Sequence, residues 1–426
     1  MEKFSLIGIV VNMAGRLKPV LVKLVPIELL RRVKKHIINF KMDRLDSEVN
    51  IQEFSRKANP DGINLIGYIQ GEIGLGQSCR LIAQTLKNLE NDGIPFTIYN
   101  YEQVSAIRSN DSSWAHKITN NVPYNINIIH INPYELPLAF IRMGNQIWDK
   151  RYNIAFWLWE LEVFPKEWEG AFRLVDEIWT PSEFASQSIR KSTDKPVYTV
   201  PYALFVPDCG EYKRESFNLP EDKILFLCVY DCNSTMERKN PIGVIRAYKK
   251  AFPKEAEHVG LVIKMNNQQQ QDIRRIKKEL NGYRNVYLIT NVLDKVKVNA
   301  LIACVDVYVS LHRAEGFGLV PTEAMLLGTP VIATNWSANT EFMNGEVACM
   351  VNYKFIEIDE DYGPYTVGNR WAEPDLNQAA EFMLKLCKDE EFRIEISKKA
   401  KVHIKNQFAP DRTARLIKRR IKEIYK

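Results

Sequence analysis

Residues Ser310–Thr340, SLHRAEGFGLVPTEAMLLGTPVIATNWSANT, decide how the rest of the chain is read. Just ahead of them, Val307-Tyr308-Val309 is a short apolar run of the kind that forms a buried strand. Glu315-Gly316-Phe317-Gly318 then supplies a glycine-rich turn, and Pro321-Thr322-Glu323 leads into a helix-like segment, Ala324 to Leu327. Gly328 and Pro330 end that helix, and Val331-Ile332-Ala333-Thr334 is the next strand. Strand, glycine turn, helix and strand make a nucleotide-handling unit, because backbone amides at a helix N-terminus suit a diphosphate. Glu315 and Glu323 bracket the turn. Carboxylates do not hold a phosphate by charge, so their expected partners are sugar hydroxyls. The combination points to a nucleotide-sugar site.

Working outward, 426 residues are enough for two domains of this kind. The composition, 46% hydrophobic and 26% charged, is that of an ordinary folded chain. A net charge of +6 is too mild to argue for nucleic acid, and no basic–aromatic module appears, so no nucleic-acid partner is expected. The seven cysteines are scattered, which fits reduced thiols and a cytoplasmic setting. Cys228 and Cys232 are the one close pair, with no second pair nearby, so no metal site is expected. Neither a transmembrane run nor a convincing signal peptide is read in the sequence.

Residues 1–58 do not look like the start of an α/β domain. Val20, Leu24, Leu29, Leu30, Val33 and Ile37 fall at near-helical spacing among Lys18, Lys23, Arg31, Arg32, Lys34 and Lys35, and Pro19 and Pro26 interrupt the run. Two readings stay open: a helical extension packed on the body or on a partner, and a basic amphipathic element for which residues 1–56 meet an anionic membrane surface. The first globular unit begins with the strand Asn64–Tyr68 and a Gly-x-x-Gly-x-Gly turn, Gly71 to Gly76, before a helix from Ser78. His130 stands at the C-terminal end of the strand Asn127–Asn132, at the edge where open α/β sheets place ligands. It reads equally as a core or capping histidine. Trp157, Trp159 and Trp168 are either a platform for a sugar or core. A polar linker, Leu204 to Asp222, leads to a second α/β pattern, in which Arg238 and Lys239 stand just ahead of a helix and Lys264 ends a strand. Cations there meet phosphate oxygens by charge-assisted bonds.

Taken together, EGFGLVPTE with Glu315 and Glu323, GTPVIATNWSANTEF after it, the loop MERKNP, the strand end NIIHIN and the opening GYIQGEIGLGQ resemble the retaining glycosyltransferases of family 4. The resemblance implies a GT-B architecture of the α/β class, two Rossmann-like domains facing across a cleft. The expected division is an extension over 1–58, an acceptor domain over 59–205, a donor domain over 206–405, and a last helix over 406–426 that crosses back. It implies that Glu315 meets the donor sugar, Glu323 the ribose, and the backbone from Gly316 through Phe317, Gly318, Leu319 and Val320 the sugar and diphosphate. Arg238 and Lys239 would stabilise the leaving diphosphate, His130 would line the reaction centre, and Gly74 and Gly76 would sit near the diphosphate and acceptor. One feature departs from the pattern: the family commonly has an arginine soon after the first strand of the donor domain. Tyr230–Ser234 holds none, so Arg238 or Lys264 is expected in its place. The implied reaction is a retaining, metal-independent transfer to a glycan or lipid-linked acceptor, with no cofactor beyond the nucleotide-diphosphate sugar itself. Its setting would be cell-envelope or exopolysaccharide biosynthesis, on the inner face of the membrane or free in the cytoplasm. A catalytically silent partner of another transferase is the alternative.

Overall fold

The computed structural model describes residues 50–102, 109–206 and 209–426. The basic extension read at residues 1–58 lies outside the described residues as far as residue 49.

Two parallel six-stranded sheets carry the chain. The first comprises β1 (Ile63–Gly67), β2 (Phe96–Asn100), β3 (Ile126–His130), β4 (Tyr152–Phe156), β5 (Glu177–Thr180) and β6 (Val197–Thr199), in the order β2-β1-β3-β4-β5-β6. Every residue of β1 and β3 is buried, as expected of parallel strands covered on both faces. The asparagines inside them are satisfied by a cross-strand amide ladder. Asn64 Nδ2 donates to Asn127 Oδ1 at 2.9 Å, and Asn127 Nδ2 to Asn153 Oδ1 at 2.8 Å. A buried amide left without such a partner would cost about 1–3 kcal/mol.

The second sheet comprises β7 (Ile224–Asp231), β8 (Val259–Asn266), β9 (Val286–Ile289), β10 (Val307–Ser310), β11 (Val331–Thr334) and β12 (Cys349–Val351), in the order β12-β11-β10-β7-β8-β9. In each sheet the chain winds outward one way and then returns to the other side of its first strand. The two reversal points lie between β1 and β3 and between β7 and β10. Ligands of open α/β sheets bind outside the carboxyl ends of strands at such points.

A short antiparallel hairpin, β13 (Tyr353–Glu357) with β14 (Arg370–Pro374), follows β12. Two helices follow the hairpin, Leu376–Lys388 and Glu390–Gln407. The break falls at Asp389, whose carboxylate accepts from the Phe392 amide at 2.9 Å.

The final helix, Pro410–Ile424, packs on the helix Gly74–Glu90 of the first unit. Arg420 Nη2 reaches the fully buried Glu177 carboxylate at 2.6 Å, and Lys418 pairs with Asp92 at 2.9 Å. Tyr425 Oη donates to Asn125 Oδ1 at 2.7 Å.

Candidate active site

A cleft of about 1500 Å³ lies between the sheets, lined from both. Two helix N-termini open on it. On one side is the helix Gly74–Glu90, begun at Ile73 with no side-chain cap. It starts earlier than the sequence indicates, so Gly74 lies within its first turn. On the other side is Leu319–Leu327, begun at Gly318, also without a side-chain cap. Gly318 has φ +94°, which only glycine adopts without strain, and this lets the chain leave the turn directly into the helix. Amides at such ends have no partner within the helix and carry partial positive charge.

Glu315, at the mouth of that turn, sits among cations. Lys239 Nζ is 2.5 Å from its Oε2 and Arg238 Nη1 is 3.6 Å away. Burial alone would push this carboxyl up, but Lys239, Arg238 and His312 overcome it and hold it at about 2. Both cations come from the short helix Met236–Lys239, which Asn240 ends in the left-handed conformation while capping the next helix through Gly243 N. Arg238 is almost fully buried, with Nη1 donating to Ala314 O at 3.0 Å. Glu323, 3% exposed, is bound by Lys295 Nζ at 2.6 Å.

The opposite sheet also contributes to this cluster. Glu160 Oε1 is 3.8 Å from Arg238 Nη2. Tyr365, in the loop of the hairpin, donates to Glu160 Oε2 at 3.1 Å and stacks on Trp159, with centroids 5.7 Å apart.

Of the residues singled out in the sequence, Gly74, Arg238, Lys239, Glu315, Gly316, Phe317, Gly318, Leu319, Val320 and Glu323 line this one cleft. Three others do not, against expectation. His130 is fully buried beneath it, stacked on Phe156 at 4.9 Å, with Nε2 2.7 Å from Ser78 Oγ. The helix Gly74–Glu90 lies over the strand end and closes it off. Gly76 is buried too; its missing Cβ makes room for the Gly71 carbonyl rather than for a ligand. Lys264 is not at a strand end, because β8 runs on to Asn266. Its side chain is fully buried, with Nζ donating to Met265 O at 3.1 Å and Asn266 Oδ1 at 2.6 Å, and burial lowers its pKa to about 8. Arg238, not Lys264, is therefore the cation that accompanies Lys239 in the cleft. The tryptophans divide as well: Trp157 and Trp159 are buried, and Trp168 is partly exposed on the cleft.

The sequence does not single out Lys295, Glu160 or Tyr365. It does hold an Asp-x-Asp pattern, Asp359-Glu360-Asp361, an element whose absence would have favoured a metal-independent route. Asp361 lines the cleft rim, and its Oδ1 accepts from Val367 N at 3.0 Å. Among the described residues no three His, Cys, Asp or Glu side chains are grouped to hold a metal ion.

Burial holds His130 neutral, its pKa lowered to about 4, and also lowers that of His312. The unfolded imidazole takes a proton near pH 6.5, whereas the folded one takes it only near 4. Stability from the neutral ring is thus complete above pH 6.5 and is lost as pH falls toward 4. In denaturant melts across that window, His130→Asn should flatten the slope by up to one proton, about 1.4 kcal/mol per pH unit. An unchanged slope would contradict the buried neutral ring.

Part of the chain is similar to known proteins. Residues 211–352 match the family model for glycosyl transferases group 1. A putative glycosyltransferase of Acidianus filamentous virus 1 is 46% identical over 59 residues, 13% of this chain and 19% of that protein. The O-antigen biosynthesis glycosyltransferase WclY of Escherichia coli is 30% identical over 133 residues, 30% of this chain and 34% of its own. The chain thus spans about a fifth and a third of the curated relatives it matches. Among solved structures, Anabaena HepE in complex with UDP and glucose superposes with a TM-score of 0.61 at 14% identity, covering 85% of this chain and 100% of that one. The chain has the GT-B fold, and its residues 211–352 match the glycosyl transferases group 1.

Proposed function

We propose that the chain is a retaining, metal-independent glycosyltransferase that moves a sugar from a nucleoside diphosphate sugar to a glycan or lipid-linked acceptor. The observation that carries this reading is the convergence, in one interdomain cleft, of two uncapped helix N-termini, the cations Arg238 and Lys239, and the carboxylates Glu315 and Glu323. Glu323 binds the ribose hydroxyls and Glu315 the donor sugar. As the bond from sugar to diphosphate breaks, charge grows on the leaving phosphate. Lys239, Arg238 and the amides of Gly318, Leu319 and Val320, which line the cleft, take it up in this reading. With side-chain cations in that role, the leaving group is neutralised without a metal, and it stays on the face from which the acceptor hydroxyl enters, so configuration is retained. His130 acts from below, by holding Ser78 at the head of its helix.

The O-antigen role of the E. coli relative supports a place in cell-envelope or exopolysaccharide synthesis. No helix among the described residues is long and apolar enough to cross a membrane. The reading places the chain in the cytoplasm, with basic residues 1–56 meeting anionic lipid.

The test combines two measurements on the full chain. UDP, the nucleotide in the HepE complex, is expected to stabilise the protein by about 2.7 kcal/mol at 100 times its Kd. A panel of nucleotide sugars should then show slow hydrolysis that chelators leave unchanged. Stabilisation with no hydrolysis of any donor points to a silent partner of another transferase. Hydrolysis that chelators abolish overturns metal independence, and the absence of both effects overturns the reading.

A further inference from the structure

The side of the cleft lined by the first unit is aromatic and acidic. Tyr134, 43% exposed, lies with its ring centroid 5.8 Å from that of Trp168. Trp168 meets Trp159 edge-on at 4.8 Å, and Trp159 stacks on Tyr365, whose hydroxyl donates to Glu160. Tyr134 and Trp168 are therefore the rings open to the cleft, and Trp159 and Tyr365 are packed behind them as far as the carboxylate that pairs with Arg238.

Among the described residues the charge on this wall is negative. Glu72 and Glu167 line it with Glu160, and the buried oxygen Oε2 of Glu72 has no hydrogen-bond partner. The wall's cation, Arg80, is engaged: it pairs with Asp111 at 3.3 Å and donates to Ile69 O and Gly71 O at 2.9 Å each. Aromatic faces flanked by carboxylates suit the C–H face and hydroxyl donors of a neutral sugar, and repel a phosphate.

We infer that this wall is the acceptor subsite and that it takes a sugar residue of an existing saccharide, stacked on Tyr134 and Trp168 with a hydroxyl delivered toward Glu160. The chain then extends a glycan rather than placing the first sugar on a lipid phosphate, and an earlier glycosyl transfer must supply its acceptor. This rests on the proposed donor chemistry.

The experiment takes a donor that the full-length protein hydrolyses and measures nucleotide release with two acceptor classes, p-nitrophenyl glycosides of common hexoses and polyprenyl phosphate. Release should rise above hydrolysis with a glycoside and not with polyprenyl phosphate. Trp168→Ala should raise the glycoside KM about tenfold, with Trp168→Phe restoring most of it. Tyr134→Ala, at an exposed position, should act in the same direction, and hydrolysis without acceptor should stay within about twofold in all three variants. Stimulation by polyprenyl phosphate alone, no stimulation by any glycoside, or an unchanged KM in Trp168→Ala would each overturn the inference. A chain that hydrolyses no donor brings down the reading it rests on instead.

Discussion

Glu323→Ala is expected to weaken UDP binding about 100-fold, measured by calorimetry, in a protein that still melts cooperatively. Hydrogen bonds to an ionised carboxylate contribute about 1.5–3 kcal/mol each, and a ribose offers two adjacent hydroxyls, so a loss of about 3 kcal/mol is a conservative sum. The fold survives because Glu323 is held by a side chain rather than by the backbone ladder: its partner is Lys295 Nζ at 2.6 Å, itself 27% exposed and free to turn to water. Glu323→Gln keeps one acceptor oxygen and should fall between the two. Lys295→Met separates the ribose role from the ion pair, since it frees the carboxylate without removing it; its effect on UDP affinity should be much the smaller. A Glu323→Ala protein that binds UDP within twofold of the native chain would remove Glu323 from the donor site.

How far the sequence foretells this site depends on whether each residue's signal is local. β1, β3, β7, β8, β10 and β11 are short, nearly continuous apolar runs, and each lies within a residue or two of where its pattern puts it. Glu315 and Glu323 are legible for the same reason, because one turn and one helix start fix both. Lys295 is not. It reaches Glu323 because the helix Lys295–Cys304 packs beside Leu319–Leu327, and nothing around Lys295 in the sequence announces that contact. Tyr365 belongs to a hairpin whose strand Tyr353–Glu357 is largely exposed, so no alternation of apolar and polar residues betrays it. Glu160 reads in the sequence only as one acid in an aromatic loop; its meaning comes from its pairing with Arg238. The misplaced residues fail in a complementary way. Lys264 and His130 stand where strand-end logic puts a ligand contact, but a strand two residues longer buries the first and an overlying helix buries the second. Strand ends can be read from sequence. What covers them is a property of packing.

Lys239→Met should lower kcat for donor turnover about 100- to 1000-fold with a smaller change in KM, the loss of about 3–4 kcal/mol typical when one donor to a developing oxyanion is removed. The split follows from timing. In the proposed reaction the ground-state diphosphate would also be met by the helix-end amides and Arg238, which line the same cleft, whereas the charge that builds on the leaving oxygen would need a further cation. A pH signature distinguishes this from loss of shape. In the native chain Lys239 is the strongest of the groups holding the Glu315 carboxyl down at about 2, against burial that pushes it up. The carboxylate is therefore ionised throughout the working range, and its ionisation is lost only as pH falls toward 2. Without Lys239, burial acts against Arg238 and His312 alone, and the Glu315 carboxyl must rise. Residual activity of Lys239→Met should accordingly fall off at a higher pH on the acid side than that of the native protein, and Lys239→Arg should restore the native acid limb even where its geometry leaves kcat low. An acid limb in Lys239→Met identical to the native one would show that the pair at 2.5 Å does not set the charge of Glu315, and with it the case for Lys239 as the cation of the leaving group would fall.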